Sequence, residues 1–265
     1  MHKSNSKVRN FFGTLLGAFR ISFTVIWIVG QVIPLLILYP ITFGHIAWYR
    51  GFFWRIAGIV IGFKFVIDGK FLHNRPLMVP MNHTSLFDII CFGASFNSNF
   101  ISKADVAKWP VFGFLASIAG TLFISRKKST AGKESILLSK KIMKDSHPIL
   151  FAPEGTTNDG IDILPFRPAL FAIALEHKNK IHLQPVVIKY THINGVPTTD
   201  EQKRLISWIV GDDVSMLRKM FNVLKYRCWT CTIKILPEID ITKFDDRKIL
   251  AAHVEQIVKS EYAKL

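Results

Sequence analysis

The first 67 residues contain no aspartate or glutamate, while Lys3, Lys7, Arg9, Arg20, Arg50, Arg55 and Lys64 bracket a stretch, residues 21–49, that has no charge at all. An apolar segment with basic flanks and no counter-charge suits phospholipid headgroups. Cysteine is scarce: three in 265 residues, an odd number that argues against the disulfide framework of a secreted fold and for a reducing compartment. No Pro/Gly/Ser-rich linker, solenoid-period repeat or low-complexity tract occurs, so one core-bearing domain with an N-terminal appendage is expected. The chain also lacks a groove-reading motif or a face of interleaved basic and aromatic residues. Nucleic acid is therefore set aside as the partner of its +15 net charge, and membrane phospholipid is preferred.

A straight helix over the uncharged stretch would reach about 44 Å, well beyond a hydrocarbon core of about 30 Å. Gly30, Pro34, Pro40 and Gly44 punctuate it, so a kinked helix or two shorter helices are expected. Basic residues flank it in similar number on both sides, which gives a single crossing no sidedness. Both flanks then face the cytosol, with the apolar part dipping into the bilayer or lying flat on it. Its length, its distance from the start and the lack of a small-residue cleavage site set aside a signal peptide. Residues 1–63 read as a membrane-associating helical segment and 64–265 as the folded domain.

After Asp68 the pattern changes to short apolar runs rich in Val, Ile and Phe, at 76–81, 99–102, 121–125, 149–152 and 184–190. These read as buried strands. A helix is predicted over 129–144, capped by Ser129 or Thr130, with Ile136, Leu137 and Met143 as its apolar face. A closing helix is predicted over 246–263, with Ile249, Val254, Ile257 and Val258 toward the core. Alternating strand and helix implies an α/β domain, a central mostly parallel sheet flanked by helices, carrying an N-terminal apolar helical membrane anchor.

Two segments carry chemistry. Directly after one apolar strand comes Asn82-His83-Thr84-Ser85-Leu86-Phe87-Asp88, with a His and an Asp five apart. A neutral imidazole can take the proton of an attacking alcohol, and a carboxylate on its far nitrogen fixes the tautomer. After a second strand, Pro153-Glu154-Gly155-Thr156-Thr157-Asn158 packs a carboxylate, a glycine and hydroxyls into a turn, a common place for ligand contacts.

Taken with Gly120-Thr121-Leu122-Phe123-Ile124-Ser125-Arg126 and Pro185-Val186-Val187-Ile188, these segments resemble, in order, the four motifs of the glycerophospholipid acyltransferases, of the 1-acylglycerol-3-phosphate acyltransferase type. The resemblance covers roughly residues 65–190. It implies transfer of a fatty acyl group from acyl-carrier protein or coenzyme A to the free hydroxyl of a lysophospholipid, with lysophosphatidate giving phosphatidate as the first expectation. His83 would be the general base and Asp88 its orienting partner. Lys103, Arg126, Arg167 and the Glu154-Gly155-Thr156 turn would hold the acceptor, the cations and the amides around Gly155 on phosphate and Glu154 on a hydroxyl or an arginine. No cofactor and no metal are expected, the thioester being a co-substrate. The catalytic domain is expected on the cytosolic face of a membrane, in phospholipid biosynthesis.

Three departures bear on the acceptor. Thr157 and Asn158 stand where many members have arginine and serine, and Ala169 where glycine is usual. Trp208-Ile209-Val210-Gly211-Asp212 looks somewhat like a segment of the branch that acylates lyso-ornithine lipid, which is the alternative acceptor. A non-catalytic lipid-binding scaffold is the alternative from another class. Ser85 lacks a Gly-x-Ser-x-Gly elbow. The spacing Cys228-Trp229-Thr230-Cys231 falls at an alternating strand that would send the two thiols to opposite faces, so core cysteines are expected rather than a redox or zinc pair. Asp212-Asp213 has no further carboxylates near it in sequence.

Overall fold

The computed structural model describes residues 2–41, 47–109, 113, 116–117, 120–124, 131–208 and 214–265. Two helices open the chain, α1 (His2–Ile41) and α2 (Ala47–Ile61). The expected division into two helices is present, but α1 continues past Gly30 and Pro34. A proline inside a helix forfeits one hydrogen bond, here to the carbonyl of Gly30 four residues back, a loss the rest of a 40-residue helix can carry. Gly44 lies outside the described residues.

Helix α1 is fastened to the folded domain near its middle. Arg20 is buried, and its guanidinium donates to the carbonyls of Leu224 (3.1 Å), Tyr226 (2.6 Å) and Arg227 (2.8 Å), which cap the end of a helix of residues Met216–Leu224. The same guanidinium lies over Gly62 at the turn from α2 into the first strand. There φ is +87°, and a Cβ would stand 2.3 Å from an Arg20 nitrogen, so glycine is required on both counts. The opposite side of α1 presents Phe11, Leu15, Phe19, Ile26, Ile33 and Ile37 outward. Helix α2 is joined to the domain through Arg50, which donates to Asn99 Oδ1 (2.8 Å) and Asn97 Oδ1 (3.0 Å).

The domain holds two sheets. Strands β2 (Leu77–Pro80), β3 (Asn99–Lys103), β4 (Leu122–Ile124), β5 (Ile149–Phe151) and β6 (His182–Leu183) form an all-parallel sheet in the order β4-β3-β5-β2-β6. This is the predicted parallel sheet: β2, β3, β4 and β5 fall on four of the apolar runs, β6 on none, and the fifth run, 184–190, belongs to the second sheet. A second, mixed sheet, which the sequence does not announce, has the order β1-β9-β7-β8, from β1 (Phe63–Asp68), β7 (Val186–Ile193), β8 (Val196–Pro197) and β9 (Trp229–Ile235). A parallel bridge from Met81 to Val186 links the two sheets just past the end of β2.

The sheets are covered by α3 (Asp88–Ser95), α4 (Ala131–Lys144), α5 (Phe171–Glu176), α6 (Asp200–Ile206), α7 (Met216–Leu224) and α8 (Arg247–Lys264). Two faces differ from expectation. Helix α4 buries Leu138 and Ile142 and exposes Ile136 (58%) and Leu137 (59%), and its proposed caps Ser129 and Thr130 lie outside the described residues. Helix α8 buries Leu250, Ala251, Val254, Val258 and Tyr262 and exposes Ile249, while Ile257 is half-buried. In both, the helix turns toward the face with the larger set of i, i+3/i+4 apolar positions once its neighbours are fixed. Cys231 is buried within β9, and Cys228 precedes the strand half-buried.

Candidate active site

At the end of β2 the chain leaves the sheet, and Asn82 replaces a strand residue as the pairing group. Its Nδ2 donates to the Ile188 carbonyl and its Oδ1 accepts the Ile188 N–H, both at 2.8 Å. His83 follows, its side chain 24% exposed, with Nδ1 2.8 Å from Asp88 Oδ2. Asp88 opens α3 and is almost wholly buried. Oδ2 also accepts the N–H groups of Thr84 (2.9 Å) and Ser85 (3.1 Å), and Oδ1 accepts the Tyr190 hydroxyl at 2.7 Å. A carboxylate only accepts, so His83 carries its proton on Nδ1, and Nε2 is the nitrogen with a lone pair to offer.

The second loop backs the first. Glu154 is buried and accepts the His83 N–H on Oε1 (2.6 Å), the Leu164 N–H on Oε2 (2.8 Å), and Asn158 Nδ2 on both oxygens. Burial pushes its carboxyl up to about 7, against the pull of these donors and of the nearby imidazole. The Asn158 N–H returns to the His83 carbonyl at 2.7 Å. The carboxylate predicted to meet the acceptor or an arginine thus has both oxygens occupied by the protein itself. Asn158, noted in the sequence only as a departure, is one of the ties between the loops.

Gly155 turns with φ +74°, and the Arg167 side chain lies over it so closely that a Cβ would stand 3.0 Å from Nε. Arg167 is exposed, and its backbone N–H is anchored to the Pro153 carbonyl at 2.8 Å. The structure therefore brings His83, Asp88, Glu154, Gly155 and Arg167 into one constellation, with Thr156 half-exposed on its turn. Thr157 is turned inward and buried, and its Oγ1 has no hydrogen-bond partner among the described residues. Lys103 ends β3, paired with Ile124 of β4. Arg126 and residues 209–213, which include Gly211, Asp212 and Asp213, lie outside the described residues.

A cavity of about 80 Å³ opens beside His83 and Asp88, walled by Met81, Ile89, Phe100, Ile101, Leu150 and Phe151. Ser102 and Thr121 add hydroxyls to its lining. Helix α8 braces the arrangement: Tyr262 donates to the Gly160 carbonyl (2.6 Å), and Glu255 accepts the Phe166 N–H (2.7 Å). Ser85 Oγ donates to the Ile206 carbonyl at 2.6 Å, so that hydroxyl serves the loop. Among the described residues no group of three or more His, Cys, Asp or Glu is placed to hold a metal ion. Sequence reasoning missed Tyr190 and Tyr262 as parts of the site. For Tyr190 the signal would be its place at the end of the apolar run 184–190, the run that carries the fourth motif.

The acyltransferase family model matches residues 64–189. A lyso-ornithine lipid O-acyltransferase of Rhodobacter capsulatus is 34% identical over 78% of this chain and 72% of its own. A 1-acyl-sn-glycerol-3-phosphate acyltransferase of Neisseria gonorrhoeae is 25% identical over 72% of this chain and 71% of its own. In fold, the chain is similar to the crystal structure of the 1-acyl-sn-glycerophosphate acyltransferase of Thermotoga maritima. The TM-score is 0.60 at 20% identity, covering 97% of this chain and 96% of that one.

Proposed function

The chain belongs to the glycerophospholipid acyltransferase family, and from that premise we propose that His83 and Asp88 move a fatty acyl group from a thioester to the hydroxyl of a lysolipid held at a membrane surface. The observation that carries the proposal is the 2.8 Å contact between His83 Nδ1 and the buried Asp88 carboxylate beside an apolar cavity. With Nδ1 committed, Nε2 takes the hydroxyl proton as the lipid oxygen attacks the thioester carbonyl. The tetrahedral adduct collapses, the C–S bond breaks as the ester C–O bond remains, and the imidazolium returns its proton to the departing thiolate. No enzyme nucleophile is needed. The apolar walls suit the first carbons of an acyl chain, and acyl-carrier protein or acyl-coenzyme A supplies the thioester.

For the acceptor we favour a lyso-ornithine-type lipid. Thr157, at the place of the usual family arginine, is neutral and turned inward. The Rhodobacter capsulatus relative, named for that acceptor, supports the same choice. Lysophosphatidate is the second reading, favoured by Arg167, an exposed guanidinium over the Gly155 turn that can pair with a phosphate. Membrane attachment is supported by α1, whose Phe11–Gln31 portion is long and apolar enough to cross a bilayer by length and composition. Arg20 lies in the middle of that portion, buried against the end of α7, which supports a helix lying along the membrane surface with its outer apolar side in lipid.

The test is acyl transfer from labelled acyl-carrier protein and acyl-coenzyme A to a panel of lysolipids in vesicles, with His83→Ala beside the intact chain. Loss of about 10²-fold or more in the variant is expected for a general base. Transfer to lyso-ornithine lipid over lysophosphatidate supports the acceptor choice, the reverse preference restores the second reading, and an active His83→Ala overturns the mechanism.

A further inference from the structure

The Asp88 carboxylate makes more contacts than orienting one histidine requires. Oδ2 accepts three donors, His83 Nδ1 and the N–H groups of Thr84 and Ser85, all within the same short loop. That leaves Oδ1, and its donor comes from another sheet. Tyr190 of β7, almost fully buried, places its hydroxyl 2.7 Å away. A carboxylate turns readily about its last bond, because that torsion has broad wells. Local donors on one oxygen alone leave the rotation weakly fixed, whereas a phenol at the far oxygen, carried by a strand, fixes both ends.

The phenol is itself held. Its ring lies 5.9 Å from that of Phe63 on β1, and the hydroxyl is 3.7 Å from Cys91 Sγ on α3. Burial, with the Asp88 carboxylate, pushes the Tyr190 phenol well above its ordinary range, so it remains a donor. Two residues earlier on β7, the backbone carbonyl and N–H of Ile188 hold both polar groups of the Asn82 side chain. One strand of the mixed sheet therefore grips both ends of the 82–88 loop that leaves the parallel sheet.

We propose that Tyr190 is a positioning residue for acyl transfer: its hydroxyl fixes the Asp88 carboxylate so that Oδ2 faces His83 Nδ1 throughout the reaction. The inference rests on the His83–Asp88 mechanism and adds a residue just beyond the 64–189 span of the family match. It acts through Asp88 and touches no substrate.

The experiment compares the full-length chain in vesicles with Tyr190→Phe, Asp88→Asn, the double variant and His83→Ala, measuring kcat, KM and melting temperature. Tyr190→Phe removes one oxygen and keeps the ring. If it melts below the assay temperature, all rates are read at a lower temperature where it is folded. A lost hydrogen bond to a charged group predicts a fall in kcat of about ten-fold or more, with KM for both substrates little changed. In the Asp88→Asn background the same change should cost far less, because the carboxylate it positions is gone. An undiminished kcat, a loss expressed in KM, or an equal loss in both backgrounds would each overturn the proposal and leave Tyr190 a packing residue. Full activity in His83→Ala would instead remove the mechanism beneath it, a result that the Tyr190 variants alone cannot produce.

Discussion

Glu154 Oε1 accepts the backbone N–H of His83 at 2.6 Å, while Asn158 Nδ2 reaches both oxygens of the same carboxylate. The glutamate that sequence comparison places among ligand contacts is the buried strut on which the histidine's backbone rests. Its ionisation is therefore linked to stability.

Burial raises the Glu154 carboxyl from its ordinary 4.5 to about 7 in the folded chain. Between those values the folded state binds more protons than the unfolded one, so the contribution is fully present below about 4.5 and is lost as pH rises through about 7. The size is of order 3 kcal/mol at most. Chemical denaturation of the intact chain and of Glu154→Gln between pH 4.5 and 8 should show a decline with pH in the first that is reduced in the second. Parallel curves would mean that the carboxylate titrates elsewhere.

Arg20→Ala should loosen α1 from the domain. It removes the donors to three carbonyls at the end of α7 and just beyond, at a cost of about 2 kcal/mol or more. Amide exchange in the last turn of α7 should accelerate, and the melting temperature should fall. Unchanged exchange there would show that the contact does not hold the two parts together.

On α4, Leu138→Ala should cost about 2–5 kcal/mol, because Leu138 is buried. Ile136→Ser and Leu137→Ser should each stay within about 0.5 kcal/mol, because both side chains are exposed. Urea midpoints of the three variants decide the register of the helix face, and a larger loss at 136 or 137 than at 138 would reverse it.

Much of the parallel sheet was legible in the sequence because its central strands β2 and β5 are short apolar runs buried along their whole length, a pattern that depends little on partners. The mixed sheet was not. The alternation in β9 marks a strand, but nothing local tells that it pairs with β1 on one side and β7 on the other. The helix faces were misjudged at Ile136, Leu137 and Ile249 because a helix with apolar residues on more than one side has its inward face chosen by its neighbours. Asn158 and Glu154 were legible as a motif, but their direction was not, since a turn can aim a carboxylate toward solvent or toward the preceding loop.

By itself the sequence determined the chemical groups and their order along the chain: a histidine and an aspartate five apart after an apolar strand, a glycine-bearing turn after another, and an uncharged segment with basic flanks. These are properties of local composition and spacing, which the chain carries before it folds. Only the tertiary structure decided which side chains surround the pair. Tyr190 reaches Asp88 across 102 positions of sequence and Tyr262 reaches Gly160 across another 102. Contacts at such separation follow from how sheets and helices pack, and a hydrogen bond between distant residues leaves no periodic trace in either segment.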